Sequence, residues 1–91
     1  MIDKRAEFFI SGTVQGVGFR YFVAKNAEPM GLKGFAKNLP DGRVQVVVEG
    51  NEDSIIRLHQ MLKQGPSFSR VDKVNARFDE PKNEFHGFDT Y

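Results

Sequence analysis

The amino-acid sequence predicts an α+β domain with two helices packed on one face of an antiparallel-type sheet. Three observations carry this. The apolar period switches from about two to about 3.6 residues and back again, twice along the chain. Each helical stretch is flanked by strand-like stretches, which makes two strand–helix–strand crossovers. Between the crossovers, Pro40-Asp41-Gly42 is a tight-turn signal joining two strand-like segments.

The first strand is predicted over residues 6–13, where Ala6, Phe8 and Ile10 alternate with Glu7, Phe9 and Ser11. A glycine-rich stretch, residues 12–18, follows. From Phe19 the spacing turns helical, with Phe19, Phe22, Val23, Ala27 and Met30 on one stripe. Gly31 is a suitable helix terminator. Pro29 would clash with the carbonyl of Lys25 in a regular helix, so the last turn is expected to distort or end early.

Residues 32–39 form the second predicted strand and residues 43–49 the third, with Val44, Val46 and Val48 facing inward; the two make a hairpin. Asn51 is an N-cap, and Glu52 and Asp53 complement the dipole of the helix that it opens. Ile55, Leu58 and Leu62 are the buried stripe of this second helix, which stops at Gly65-Pro66. A fourth strand is predicted over residues 70–78, with Val74, Ala76 and Phe78 alternating, and a short fifth segment over residues 84–88 after the Glu80-Pro81-Lys82-Asn83 turn. The order βαββαβ plus a short strand is the split βαβ, ferredoxin-like layout.

Length and composition limit the functional classes. Ninety-one residues are expected to form one domain, residues 1–91. There is no cysteine, hence neither a disulfide nor a thiolate metal site. No apolar run approaches the ~18 residues that span a bilayer, and the start Met-Ile-Asp-Lys-Arg lacks an apolar signal core. A cytoplasmic protein with no membrane partner is expected.

The net charge of +1 argues against a general nucleic-acid binder. Charge is nevertheless uneven. Between Phe8 and Pro40 four cations (Arg20, Lys25, Lys33, Lys37) face one acid, Glu28, a local +3 that leaves −2 for the rest. That pattern suits a small anionic ligand, although scattered solvated lysines would produce the same count. The acids otherwise occur singly, in turns or at a helix cap, so no metal cluster is expected. His59, on the second helix, and His86, placed on the last strand, are read as structural.

The stretch from Gly12 to Arg20 differs from the rest. It joins a strand to a helix N-terminus, where N–H groups are unpaired and the dipole is positive. Gly16 and Gly18 let the chain curl so that successive amides point inward, a cradle for phosphate or carboxylate, though glycines also serve ordinary turns. Arg20 opposes the dipole at a cost of about 0.3–1 kcal/mol. A guanidinium there makes sense if a phosphoryl group sits between it and the amides; the alternative is an acid brought in from elsewhere. Asn38, before the turn, could hold a water molecule with its amide or could bond its own backbone as turn asparagines do.

At these residues the chain resembles the acylphosphatase family. Its first signature, Gly-x-Val-Gln-Gly-Val-x-Phe-Arg, is met by residues 12–20 without a gap. Its second is met by Gly34-Phe35-Ala36-Lys37-Asn38, Gly42-Arg43-Val44 and Gly50. The resemblance spans essentially the whole chain, with Pro29 atypical. It implies metal- and cofactor-free hydrolysis of the carboxyl–phosphate anhydride of acylphosphates. Arg20 and the loop amides of Gln15, Gly16, Val17, Gly18 and Phe19 would bind the phosphoryl group, and Asn38 would orient the attacking water. The partners implied are a small acylphosphate and inorganic phosphate, on a monomer.

Two other classes stay open. One is a non-catalytic acylphosphatase-like domain serving regulation or maturation. The other is an RNA-binding ferredoxin-like module, because Lys33-Gly34-Phe35-Ala36 resembles the opening of an aromatic RNA-binding motif, though Lys37-Asn38-Leu39 then departs from it.

Overall fold

Alternating apolar residues and two amphipathic stripes can bury their apolar sides together only as a layer of helices on a sheet. The computed structural model, which describes residues 2–91, has that arrangement. Its elements are β1 (Lys4–Thr13), α1 (Phe19–Ala27), a 3₁₀ turn (Glu28–Met30), β2 (Lys33–Asn38), β3 (Val44–Gly50), α2 (Glu52–Gln64), β4 (Arg70–Asp79) and β5 (Phe88–Thr90). The sheet order is β4-β1-β3-β2-β5.

Register explains which side chains meet. Ala6, Phe8 and Ile10 of β1 lie opposite Val48, Val46 and Val44 of β3, and all six are fully buried beneath the helices. Ile55, Leu58 and Leu62 of α2 and Phe19, Val23 and Ala27 of α1 close this core from above. Gly34 of β2, at φ 150°, leaves its Cβ position to the Val47 main chain, so only glycine fits the close strand approach there. Asn51 caps α2, its Oδ1 accepting from Asp53 N at 2.9 Å and Ser54 N at 3.4 Å. As Pro29 requires, α1 gives way to the tighter 3₁₀ turn, which Gly31 ends in the left-handed region at φ 74°.

Two expectations need correction. The sheet is mixed, because β5 runs parallel to β2, with Gly34 opposite Phe88 and Ala36 opposite Thr90. The fifth strand also begins at Phe88 rather than ending there, so His86 precedes it. The reason lies in where residues 80–87 spend their hydrogen bonds. Lys82 N and Asn83 N donate to the Glu49 carboxylate, at 2.6 and 3.0 Å, and Asn83 takes a positive φ of 55°. The Phe85 ring packs edge-on against Phe35, centroids 6.0 Å apart. This segment is thus a strap across the helix-free face, and only after it does the chain join the sheet edge.

Glu49 is the buried anchor of the strap. It also accepts from Arg5 Nη1 at 3.0 Å, while Arg5 reaches Glu84 at 2.8 Å. Burial by itself raises its carboxyl pKa. The bonds from Lys82 N, Arg5 and Asn83 N outweigh burial and hold it below the ordinary range.

Candidate active site

The polypeptide between β1 and α1 must turn away from the sheet and start a helix within a few residues. Gly16 (φ 74°) and Gly18 (φ 77°) make that possible by taking left-handed conformations, with open space where a Cβ would stand. Gly18 is the N-cap of α1 and offers no side chain to cap it. Consequently the N–H groups of Gln15, Gly16, Val17, Gly18 and Phe19 donate to no backbone carbonyl among the described residues. Five free donors at a helix N-terminus form an electropositive cradle.

The loop is held by its apolar and amide side chains. Val14 is buried, Val17 packs against the core, and Gln15 Nε2 donates to Leu39 O at 2.7 Å and Arg43 O at 2.9 Å. The side chains of Gln15 and Val17 therefore point away from the cradle; what these residues can offer an anion is main chain. Gln15 also clasps the loop to the β2–β3 turn that follows Asn38.

Arg20 has no acidic partner among the described ion pairs. Its Nη1 donates instead to the main-chain oxygen of Tyr91, at 2.9 Å. The same oxygen accepts from Asn38 N at 3.1 Å, and Tyr91 N donates to Ala36 O at 2.8 Å, extending the parallel ladder of β5. One oxygen thus ties the guanidinium to the backbone of Asn38. That single bond leaves most of the guanidinium fork unused.

Asn38 lies opposite Val44, so it shares the helix-covered face of the sheet. The turn after it is closed by other groups: Gly42 N donates to Leu39 O at 3.1 Å, and Arg43 N to Asp41 Oδ1 at 3.1 Å. Asp41 is the turn's carboxylate cap, and the Asn38 side chain is left for another use.

These residues converge on one cavity of about 550 Å³. Gly16, Gly18, Phe19, Arg20 and Asn38 line its inner end; Tyr21, Ala24, Glu28 and Phe88 extend it along α1 and β5. Among the described residues no group of three or more histidines, cysteines or acids gathers to hold a metal ion. His59 is far from this chemistry, packed on Phe8 (5.0 Å) and near Phe78 (6.2 Å), where burial, with help from Lys63, lowers its pKa. Among the described residues no helix is long and apolar enough to cross a membrane. Phe35, the aromatic that an RNA-binding face would present, is half-buried between Phe85 and Tyr91.

Sequence reasoning missed the Tyr91 oxygen, because a backbone acceptor at the end of a parallel edge strand leaves no residue-type signal. It also missed the outer half of the cavity, whose walls come from elements more than 60 positions apart.

The comparisons with known proteins agree with this architecture. The family model described as Acylphosphatase matches residues 6–90. A protein of Deinococcus radiodurans named acylphosphatase is 45% identical over 84 residues, covering 90% of this chain and 97% of that protein. One of Caldanaerobacter subterraneus, of the same name, is 44% identical over 90 residues, covering 99% and 100%. The crystal structure of acylphosphatase from Bacillus subtilis superposes with a TM-score of 0.93 at 34% identity, covering 97% of this chain and 98% of that one.

Proposed function

The chain belongs to the acylphosphatase family, and on that premise we propose how it hydrolyses acylphosphates to a carboxylate and inorganic phosphate. The phosphoryl group sits in the loop, its oxygens accepting from the amides of Gln15, Gly16, Val17, Gly18 and Phe19 and from the free arms of Arg20. The Asn38 side-chain amide holds a water molecule against phosphorus on the side opposite the acyl oxygen. The single observation that carries this reading is the shared cavity. Gly16, Gly18 and Phe19, whose N–H groups are unpaired, a guanidinium with no acidic side-chain partner among the described residues, and the amide of Asn38 line one space.

The chemistry suits such a site. Water oxygen forms a bond to phosphorus while the anhydride P–O bond breaks, and the electron pair leaves on a carboxylate. A carboxylic acid has a pKa of about 4, so its anion departs without a general acid. The charge that develops is spread over the phosphoryl oxygens, where fixed N–H dipoles and a guanidinium need no reorganisation to stabilise it. The water's proton passes to a phosphoryl oxygen of the substrate. Two acids border the cavity: Glu28, about two helical turns from Arg20 along α1, and Asp89 of β5, which pairs in register with Phe35. Charge neutralisation here falls to the protein's own donors, so no metal ion is required.

The test is turnover of acetyl phosphate and benzoyl phosphate by purified protein in the presence of a chelator. Hydrolysis should persist, and Arg20→Ala should lower kcat/KM by about 10²–10³-fold, the usual loss for a removed oxyanion donor. Loss of turnover on chelation, or an Arg20→Ala variant as active as the parent, would overturn the mechanism.

A further inference from the structure

The cavity is larger than a phosphoryl group needs. At about 550 Å³ it falls within the ~300–1,000 Å³ range of small-molecule pockets, and its surplus lies on one side. Arg20, Ala24 and Glu28 follow one another at four-residue intervals, so they form a row on one face of α1 and its 3₁₀ extension. The row is ~12 Å long by helical rise. Ala24 stands in the middle, where its small side chain leaves the space open. Tyr21, 71% exposed, forms one aromatic wall, and Lys25 Nζ lies 5.8 Å from its ring centroid. Across the row stands β5. Phe88 and Thr90 face the helices, whereas Asp89 pairs with Phe35 in register and so turns its carboxylate to the other face of the sheet. Glu28 is then the acid at the far end, and it has no ion pair among the described residues. Past it begins a shallower groove of about 190 Å³ with Lys33 and His86.

We propose that Tyr21, Ala24 and Phe88 form an acyl subsite for short, flat, uncharged acyl groups, closed by Glu28 against acyl groups that carry a carboxylate. The proposal rests on the phosphoryl site assigned above, since a phosphate anchored at Arg20 directs the acyl carbon along this row. Aromatic walls around a gap over an alanine favour a planar ring by stacking and by excluding water. A carboxylate in the para position of a benzoyl ring would be driven toward the unpaired Glu28.

The experiment compares kcat/KM for acetyl, benzoyl and 4-carboxybenzoyl phosphate. The parent should disfavour 4-carboxybenzoyl phosphate by on the order of fivefold relative to benzoyl phosphate, as an exposed like-charge contact does. Glu28→Gln should abolish that ratio. Ala24→Leu should lower the benzoyl-to-acetyl ratio by about tenfold, by filling the gap. If that variant fails to fold, Tyr21→Ala at an exposed position should lower the same ratio through loss of one wall. Ratios unchanged in these variants, with acetyl phosphate still hydrolysed by the parent, would overturn the acyl subsite alone. A parent inactive on acetyl phosphate would overturn the phosphoryl site and this subsite together.

Discussion

Replacing Glu49 with glutamine tests whether the strap over residues 80–87 is held by one buried carboxylate. Glu49 is fully buried and accepts three bonds: Lys82 N at 2.6 Å, Arg5 Nη1 at 3.0 Å and Asn83 N at 3.0 Å. Glutamine keeps the volume and one accepting oxygen, but its NH₂ must face one of these donors. Breaking a buried pair from one side costs about 3–5 kcal/mol. The lower end applies, because Arg5 keeps its bond to Glu84 at 2.8 Å. A loss of about 3 kcal/mol corresponds to ~12–24 °C in Tm for a domain of this size. Urea unfolding followed by far-ultraviolet circular dichroism at pH 7 would measure it.

The sign with pH follows from the lowered pKa. A carboxyl whose folded value lies below its ordinary 4.5 contributes stability that is complete above that pH and is lost as pH falls through the folded value. The deficit of Glu49→Gln should therefore be largest near neutrality and should shrink below pH 4.5. Because the strap delivers β5, and with it the Tyr91 oxygen that holds Arg20, inhibition by inorganic phosphate should weaken in the same variant. A loss under about 1 kcal/mol, the size of one ordinary hydrogen bond, or a deficit independent of pH, would refute the reasoning.

Three further outcomes are expected. Asn38→Ala should lower kcat by about 10²-fold or more while phosphate inhibition changes little, because its proposed partner is water; initial rates and competitive inhibition by phosphate separate the two. Gln15→Leu removes the two bonds that clasp the loop to Leu39 O and Arg43 O, and should cost about 1–3 kcal/mol in thermal unfolding; its KM for acetyl phosphate should rise, since the amides of the cradle lose their support. His59→Leu should flatten the fall in stability as pH drops below 6.5: the folded pKa is depressed, so the unfolded chain takes up the proton first and stability declines down to the folded value. Its turnover at pH 7 should equal that of the parent.

How much could be read without coordinates is seen in the loop and the strap. Gly16, Gly18 and Arg20 are consecutive in space because they are nearly consecutive in sequence, and the left-handed φ values they need are a property of glycine itself. The apolar alternation of β1 and β3 and the stripe of α2 likewise depend only on local period, so their faces were legible. Asn51 declared its cap by residue type, and Pro29 declared the early end of α1 by its ring. None of these needs a distant partner.

What the chain could not declare was every feature in which one segment's choice depends on another's unpaired groups. Whether residues 84–88 would be a strand was decided by Glu49, which claims the Lys82 and Asn83 amides and delays sheet pairing until Phe88. Which partner Arg20 takes was decided by the parallel edge strand that carries the Tyr91 oxygen to it. The space beside Ala24 exists only because β5 stands across from α1. By itself the sequence determined the strand and helix patterns, the glycine-rich loop and the two signature motifs, because these are local properties of backbone conformation and side-chain spacing. Tertiary structure alone decided the direction of β5, the anchoring of Arg20 and the cavity beside Ala24, because each is a meeting of groups whose separation along the chain leaves no local trace.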